Sequence, residues 1–289
     1  MVFTRIFGWP FGLLASNLGH MKIAVCIKQV PDSWAEKKMV GGLLDRANVD
    51  AVLNDLDEYA VEEALRIVEA NSPTKEAGEG SGHTITLISM GPDRATEAIR
   101  KALSMGADDA IHICDGALAG SDALATSLVL SKAISDGGFD LVICGTESTD
   151  ARMSVVPAML AERLGWAQLT FAGTVAVDPS ASKVSIARST EFGIENMEAN
   201  FPAVISVIEK INEPRYPSFK GIMAAKKKVI TVKTLADIAI SPDQVGSSAS
   251  WSTVKDAVLR PARSAGIKVE DGGDGGSKLV DYLAEKRVV

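Results

Sequence analysis

Short apolar runs and helical periods alternate along the chain from Met21 to about Gly145. The runs are rich in β-branched residues and bounded by turn signals, which predicts buried strands at KIAVCIKQV (22–30), TITLISM (84–90), AIHIC (110–114) and DLVIC (140–144). Strands that alternate with helices are typical of βα units around a parallel sheet. The predicted fold class is therefore α/β, with a Rossmann-like, doubly wound parallel sheet.

The helical stretches carry start and stop signals. Asp55 is placed to cap the first helix, and Glu58 lies three residues further on, as in a capping box. Ser121 is placed to cap a later helix. Gly106 and Gly165 follow the last periodic residues of two other stretches, so they predict helix ends.

After Gly165 the pattern changes to strand-like alternation. Further strands are predicted at KVSIARST (183–190), PAVISVIE (202–209) and KVITVKT (228–234). They would either extend the same sheet or form a small antiparallel layer. From about Pro242 the chain becomes rich in Ser and then Gly, with a last short helix around residues 279–283. We therefore expect a nucleotide-binding domain at 21–234 and an extended C-terminal arm at 235–289 that packs on a partner subunit.

Composition narrows the class of partner. The 289 residues carry a net charge of −7, which argues against a nucleic acid because phosphate backbones attract clustered cations. The three cysteines all lie in apolar runs and show neither disulfide nor metal-ligand spacing. They indicate a reducing compartment, the bacterial cytoplasm. No run is long enough to insert into a membrane, and residues 1–20 are expected to be a disordered or mis-started extension.

The segment GTESTDARMS (145–154) directly follows a predicted strand. A glycine at the carboxyl end of a strand, followed by hydroxyls and backbone N–H groups before a helix, can hold a nucleotide phosphate. Ser148, Thr149 or Asp150 could equally serve as ordinary helix caps, so the pattern alone leaves both interpretations open. There is no Walker or G-x-G-x-x-G motif in the chain, and no pattern typical of a hydrolase triad.

Two further features have competing interpretations. The first long helix carries five carboxylates: Asp55, Asp57, Glu58, Glu62 and Glu63. Their spacing indicates negative charges that complement the helix dipole at its N-terminus and a solvated helix face, rather than a general acid/base pair. INEPRYPSFKGIMAAKKK (211–228) has apolar residues but no clear period. It is either an irregular segment that faces the core or a protruding loop with an aromatic anchor.

The segment at 211–228 resembles the β subunit of electron-transfer flavoproteins, in which N-E-P-R-[YF] followed by I-M-x-A-K-K-K is close to a signature. The resemblance covers about Met21 to Val289, and its other motifs are KQVPD (28–32), AVEEAL (60–65), IRKALSMGAD (99–108) and the G-x-x-x-x-D loop at 145–150. The form is most similar to the actinobacterial branch. The resemblance implies an adenine-nucleotide-hydrolase-like sheet in a heterodimer whose α subunit holds most of a shared FAD.

The resemblance also implies site residues. An AMP in the β subunit would be lined by Cys26, Asn54, Met90, Gly145, Ser148, Thr149, Asp150, Ser154, Val155 and Val156. A recognition loop at 212–225 would dock flavin dehydrogenases through Pro214, Arg215, Tyr216, Phe219, Ile222 and Met223. Phe219 stands where the family has a leucine anchor, and Ala224 stands where some members have a methylatable lysine. With Val155 and Val156 in the nucleotide loop, Ser154 and backbone amides are left to hold the phosphate.

The leading hypothesis is an electron carrier without turnover of its own. It would accept electrons from dehydrogenases such as those acting on acyl-CoA in fatty acid oxidation, and pass them to the respiratory chain through a quinone oxidoreductase. The residues Asp150, Ala151 and Arg152 do not resemble the loops of forms that hold a second FAD, which favours AMP. The alternative is an adenine-nucleotide-binding enzyme or regulatory module on a related fold.

Overall fold

The structure is a computed structural model that describes residues 20–72, 82–258, 260–263 and 266–289. Nearly all of the expected N-terminal extension therefore lies outside the described residues. The chain divides into two compact units between Val254 and Lys255.

The first unit is built on a parallel sheet. The strands in chain order are β1 (Lys22–Cys26), β2 (Gln29–Pro31), β3 (Met39–Val40), β4 (Leu43–Leu44), β5 (Ala51–Leu53), β6 (Thr84–Met90), β7 (Asp109–Ile113), β8 (Leu141–Gly145), β9 (Ala167–Ala172), β10 (Thr174–Asp178), β11 (Lys183–Thr190), β12 (Gly193–Asn200), β13 (Ala203–Val207) and β14 (Ile230–Lys233). The seven-stranded sheet has the order β14-β7-β6-β1-β8-β13-β9, and all its neighbouring pairs are parallel. From β1 the chain proceeds outward through β6, β7 and β14 on one side; on the other side β13 is inserted between β8 and the edge strand β9. The predicted doubly wound α/β fold is confirmed.

Helices cover both faces of this sheet. The helices of the first unit are α1 (Asp55–Asn71), α2 (Thr96–Met105), α3 (Ala123–Ser135), α4 (Val156–Leu164), α5 (Phe219–Ala225) and α6 (Gly246–Ala249). The second unit, described by itself, contains α7 (Gly275–Glu285). β1 shows why the strands are apolar throughout. Ile23 and Val25 enter a core with α1 and α2, while Ala24 and Cys26 enter a second core with α3 and α4.

Smaller sheets complete the first unit. β10, β11 and β12 form an antiparallel layer, so the late strands follow both expectations: β13 and β14 extend the main sheet, while β11 lies in the added layer. The first predicted strand divides in two. β1 ends at Cys26, and β2 pairs with β5 in a separate antiparallel ribbon.

Two predicted helix caps are wrong. Asp122 rather than Ser121 caps α3, because it directly precedes the first helical residue and its carboxylate accepts a 3.0 Å bond from the Ala125 N–H. At α1 the capping position falls on Asn54, and Asp55 is already the first helical residue. Gly165 ends α4 as predicted, in the left-handed conformation that glycine adopts without steric cost.

The expected boundary at residue 235 lies inside the first unit. Leu235, Ile238, Ile240 and Val245 are buried in the core beside α3 and α4. Within the second unit, the described residues are largely exposed, including every apolar residue of α7 larger than alanine except Leu283.

Candidate functional site

The sheet reverses its winding direction between β1 and β8, and the carboxyl ends of these strands form a crevice of the kind that binds ligands in doubly wound folds. Cys26 and Cys144 are aligned at these ends. A side chain at Gly145 would bring its Cβ within 2.8 Å of both the Leu56 carbonyl oxygen and the Asp57 carboxylate. Gly145 therefore allows α1 to approach the start of the following loop.

The loop between β8 and α4, residues 146–155, is held by Asn54 at the start of α1. The Asn54 side-chain amide donates to the Glu147 carbonyl at 3.0 Å and accepts from the Thr149 N–H at 3.0 Å. One side chain thus satisfies a backbone acceptor and a backbone donor of the loop. Because these bonds satisfy the amide group of Asn54, the side chain can be buried without losing hydrogen bonds.

A second anchor of the same loop is ionic. The side chain of Asp150 is 1% exposed and pairs with Lys28 at 2.7 Å and with Arg46 at 2.8 Å. Lys28 also donates to Ser148 Oγ at 3.3 Å. Burial opposes ionisation of Asp150, but the charge and hydrogen bond of Lys28, together with Arg46, lower its pKa to about 2. The loop therefore carries a fixed carboxylate between two cations.

Asp57 lies beside this cluster on the first turn of α1. Its carboxylate accepts the Lys28 N–H at 2.8 Å. Burial raises the pKa of Asp57 to about 7, although hydrogen bonds from Asn54 and the Lys28 backbone and the charge of Lys28 favour the ionised form. Two carboxyl groups at one edge of the sheet therefore have pKa values displaced in opposite directions, because only Asp150 has two cationic partners.

The beginning of α4 is suited to a phosphate. Val155 is its N-cap and supplies no side-chain bond to the first-turn N–H groups. Unsatisfied N–H groups at a helix N-terminus favour an anion. Arg152 and Ser154 have φ values of 49° and 54°, a left-handed backbone that costs energy outside glycine. The N–H groups at this edge, with Lys28 and Arg46 nearby, fit a phosphate group.

The structure brings most of the predicted nucleotide residues to this edge. Cys26 and Gly145 lie on adjacent strands, while Asn54, Ser148, Thr149 and Asp150 belong to one bonded cluster. Ser154 instead donates its hydroxyl to Glu147 at 3.0 Å, which leaves the backbone as the donor near α4. Met90 ends β6, the other neighbour of β1, and Val155 and Val156 begin α4.

The cysteines of the described structure are unbridged. The neighbouring Cys26 sulfur and burial together raise the pKa of the Cys144 thiol. Among the described residues, no group of His, Cys, Asp and Glu is arranged to hold a metal ion.

A second candidate region is the segment 212–225, which begins against α1. The Asn212 side chain donates to the Tyr59 carbonyl at 3.0 Å and to Glu63 at 2.9 Å. Arg215 pairs with Glu62 at 2.7 Å and with Glu69 at 2.6 Å. Hydrogen bonds to these two carboxylates raise the pKa of Arg215.

The segment is not irregular as the sequence suggested. Residues 219–225 form α5, and Ser218 caps it by accepting the Gly221 N–H at 3.0 Å. The pattern was missed because only seven residues are helical and most face away from the core. The side chains of Tyr216 and Phe219 are 97% and 80% exposed, and Ile222 and Met223 are also exposed. We call these four residues the apolar tip.

The prediction of a solvated acidic face on α1 is wrong for three of its five carboxylates. These three are Asp57, which is buried against Lys28 after β1 and Gly145 at the end of β8, and Glu62 and Glu63, which the segment 212–225 covers. A sequence signal was present: Glu62 and Glu63 lie within AVEEAL, where apolar neighbours on both sides indicate a helix that is covered all round.

Comparison with known proteins decides the family. The model for the electron transfer flavoprotein domain matches residues 41–238. The β subunit of an electron transfer flavoprotein from Mycobacterium tuberculosis is 50% identical over 270 residues, covering 92% of this chain and 99% of the relative. The chain belongs to the electron transfer flavoprotein family, as a β subunit.

More distant relatives cover the chain equally well. The β subunit from Megasphaera elsdenii is 38% identical over 279 residues, which is 93% of this chain and 98% of the relative. Subunit CarD of the caffeyl-CoA reductase-Etf complex of Acetobacterium woodii is 32% identical over 273 residues, which is 93% of this chain and 100% of the relative. The family is one of electron carriers, so the alternative of a nucleotide-cleaving enzyme is not retained.

None of the helices in the described part of the chain is both long and apolar enough to cross a bilayer.

Proposed function

We propose that this β subunit forms a heterodimer with an electron-transfer flavoprotein α subunit and that the two share one FAD. The bound FAD supplies the electron transfer, and the protein supplies its position and its access to partners. Electrons come from flavin dehydrogenases such as those acting on acyl-CoA, and they leave for the respiratory chain through a quinone oxidoreductase. The chain has no turnover of its own. The unbridged cysteines support a reducing compartment, the bacterial cytoplasm.

The observation that carries this proposal is the apolar tip. Tyr216, Phe219, Ile222 and Met223 are exposed on a segment whose base is tied to α1. Aromatic and aliphatic side chains that enter a partner's pocket dominate interface energetics. With Pro214 and Arg215 at its base, the tip is the surface through which we propose that dehydrogenases dock, with Phe219 as the anchor.

Phe219→Ala tests this assignment in the assembled heterodimer. We expect KM for the heterodimer in dehydrogenase assays to rise by roughly thirty-fold or more, since an anchor residue contributes at least about 2 kcal/mol. Flavin content should not change. Phe192→Ala is the matched control, because Phe192 is 91% exposed in the turn between β11 and β12, outside the tip.

Equal KM values for the two variants and the unaltered protein would show that the tip does not dock dehydrogenases. Loss of flavin from the Phe219→Ala heterodimer would instead assign Phe219 to subunit assembly.

We also propose that AMP binds at the carboxyl edge of β1 and β8. The supporting features are the N-terminus of α4, the loop held by Asn54, and the cations Lys28 and Arg46. The proposed contacts are Cys26, Asn54, Met90, Gly145, Ser148, Thr149, Asp150, Ser154, Val155 and Val156. Denaturing the purified heterodimer and quantifying the released nucleotides should yield FAD and AMP in equal amounts. Two equivalents of FAD and no AMP would show that a second flavin, rather than AMP, occupies the site.

A further inference from the structure

We propose that Arg215 acts as a positioning residue that, together with the contact of Arg100 at the opposite end, holds α5 in its docking orientation before a dehydrogenase arrives. This proposal rests on the docking role of the apolar tip. It assigns a role to two side chains that do not themselves belong to the tip.

The helix α5 cannot be held by its own hydrogen bonds or by apolar burial. It has seven residues, all within the described structure, and Ala225 alone among them is buried. Isolated helices shorter than about 12–15 residues are marginal in water. The order of α5 must therefore come from contacts with neighbouring elements, of which the polar ones lie towards its two ends.

At the N-terminal end, Arg215 joins the chain to α1. Its Nε and Nη2 atoms donate to the two oxygens of Glu62 at 2.7 and 2.9 Å, and Nη1 donates to Glu69 at 2.6 Å. The Arg215 N–H also donates to Glu62 at 3.1 Å. Glu62 is 6% exposed at its side chain, so water competes little for this bidentate pair.

At the C-terminal end, Arg100 of α2 binds the last carbonyls. Its Nη1 atom donates to the Ala225 carbonyl at 2.5 Å and to the Lys228 carbonyl at 2.6 Å. A cation at a helix C-terminus satisfies orphan carbonyls and opposes the negative end of the helix dipole. The Lys228 ammonium group extends this contact to the Ala107 carbonyl. Gly221 lets α5 approach α2, because a Cβ there would lie 2.5 Å from the Ser104 carbonyl oxygen.

These contacts explain how an apolar tip can remain exposed in a fixed geometry. Two helices that belong to the main core supply the anchors, and both anchors use charge-assisted bonds rather than apolar burial. A tip ordered in advance loses less conformational entropy on docking. Removing an anchor should therefore weaken docking without altering the electron-transfer step itself.

The experiment compares Arg215→Lys and Glu69→Gln in the assembled heterodimer. Lysine keeps the charge but loses the planar fork, while Glu69→Gln removes one carboxylate and leaves the buried Glu62 paired. The matched control is Arg188→Lys, which alters an arginine–glutamate pair on β11 and β12 whose N–O distance is 2.6 Å. Two quantities are measured: amide exchange of residues 216–225, and KM and kcat with a reduced dehydrogenase.

We expect both anchor variants to exchange faster at 216–225 and to raise KM by roughly two- to ten-fold, with kcat and flavin content unchanged, because each reordered side chain costs about this much. Arg188→Lys should change neither quantity. Unchanged exchange, or faster exchange with unchanged KM, overturns the positioning role. If Arg215→Lys does not fold, Glu69→Gln decides by the same criteria.

Phe219→Ala separates this proposal from the docking assignment. A raised KM for Phe219→Ala with normal KM for both anchor variants refutes positioning and leaves docking intact. A normal KM for Phe219→Ala refutes docking, and positioning for docking fails with it.

Discussion

Asp57 should make folding stability fall as the pH rises through the neutral range. Its carboxyl group is buried at the first turn of α1, and its pKa is raised from 3.8 to about 7. The native state therefore holds a proton that the unfolded chain releases near pH 4. Because the folded-state pKa is raised, the native state binds more protons between these two values, and the linkage relation makes stability decrease there with increasing pH.

The size of this effect follows from the displacement. A difference of about three pKa units corresponds to about 4 kcal/mol at 1.36 kcal/mol per unit. Between pH 5 and pH 8, where the chain can be studied without acid unfolding, the same relation gives about 2–3 kcal/mol. Asp57→Asn removes the titration while keeping an oxygen that can accept the Lys28 N–H.

The assay is guanidinium denaturation of the wild-type chain and of Asp57→Asn at several pH values. The informative quantity is the difference in free energy of unfolding between the two proteins, since other titrating groups cancel from it. Relative to wild type, Asp57→Asn should gain about 2–3 kcal/mol in free energy of unfolding from pH 5 to pH 8. Asp55→Asn, which removes an exposed carboxylate two residues earlier in α1, serves as the control.

A difference that stays constant over this range would show that Asp57 does not retain its proton on folding. A difference that moves in the opposite direction would mean that the ionised carboxylate is the favoured native form. The charge and hydrogen bond of Lys28 would then lower the pKa of Asp57 by more than burial raises it.

Two other substitutions test the loop after β8. Asp150→Asn should cost no more than about 2 kcal/mol at pH 7, since Lys28 and Arg46 are more than a third exposed at their side chains and can be solvated. That cost should disappear as the pH falls from about 4 to about 2, where the wild-type carboxylate takes up its proton. A cost below about 0.5 kcal/mol at pH 7 would contradict the ionic anchor. Gly145→Ala should cost about 1–3 kcal/mol in urea denaturation, because its Cβ meets the Leu56 carbonyl of α1. A neutral result would show that α1 can move away.

The elements of the main sheet could be predicted because their signal is local. A strand buried on both faces needs apolar residues at every position, as in TITLISM, and β6 coincides with that run from Thr84 to Met90. Gly165 was predictable for a similar reason, since a left-handed helix end favours glycine whatever lies nearby.

Contacts between distant segments could not be predicted in the same way. Glu62 and Arg215 are 153 residues apart, and each is an ordinary surface type of residue in its own segment. Their burial follows from the path of the chain around the sheet. The seven-residue helix α5 was missed because its order depends on such contacts rather than on its own periodicity.

The candidate nucleotide edge lies between these cases. Gly145 and the polar loop after it were visible because ligands bind beyond strand ends. The loop's anchors were only partly visible. Asn54 and Asp150 were assigned as pocket residues by resemblance. The structure also shows that Asn54 bonds the backbone of the loop and that Asp150 forms an ion pair with Lys28. Asp57, which its sequence context assigned to the solvated face of α1, lies in the same cluster.

The helix α1 gives one physical reason why both candidate regions depend on acidic and amide side chains of the same element. Its N-cap residue Asn54 binds the loop after β8, and its later turns bind the segment 212–225 through Glu62 and Glu69. At 1.5 Å per residue, Asn54 and Glu69 are about 22 Å apart along the axis. A single helix packed against the core fixes that separation. Polar side chains of α1, among them Glu62 from the predicted solvated face, therefore set the position of the segment 212–225 relative to the loop after β8.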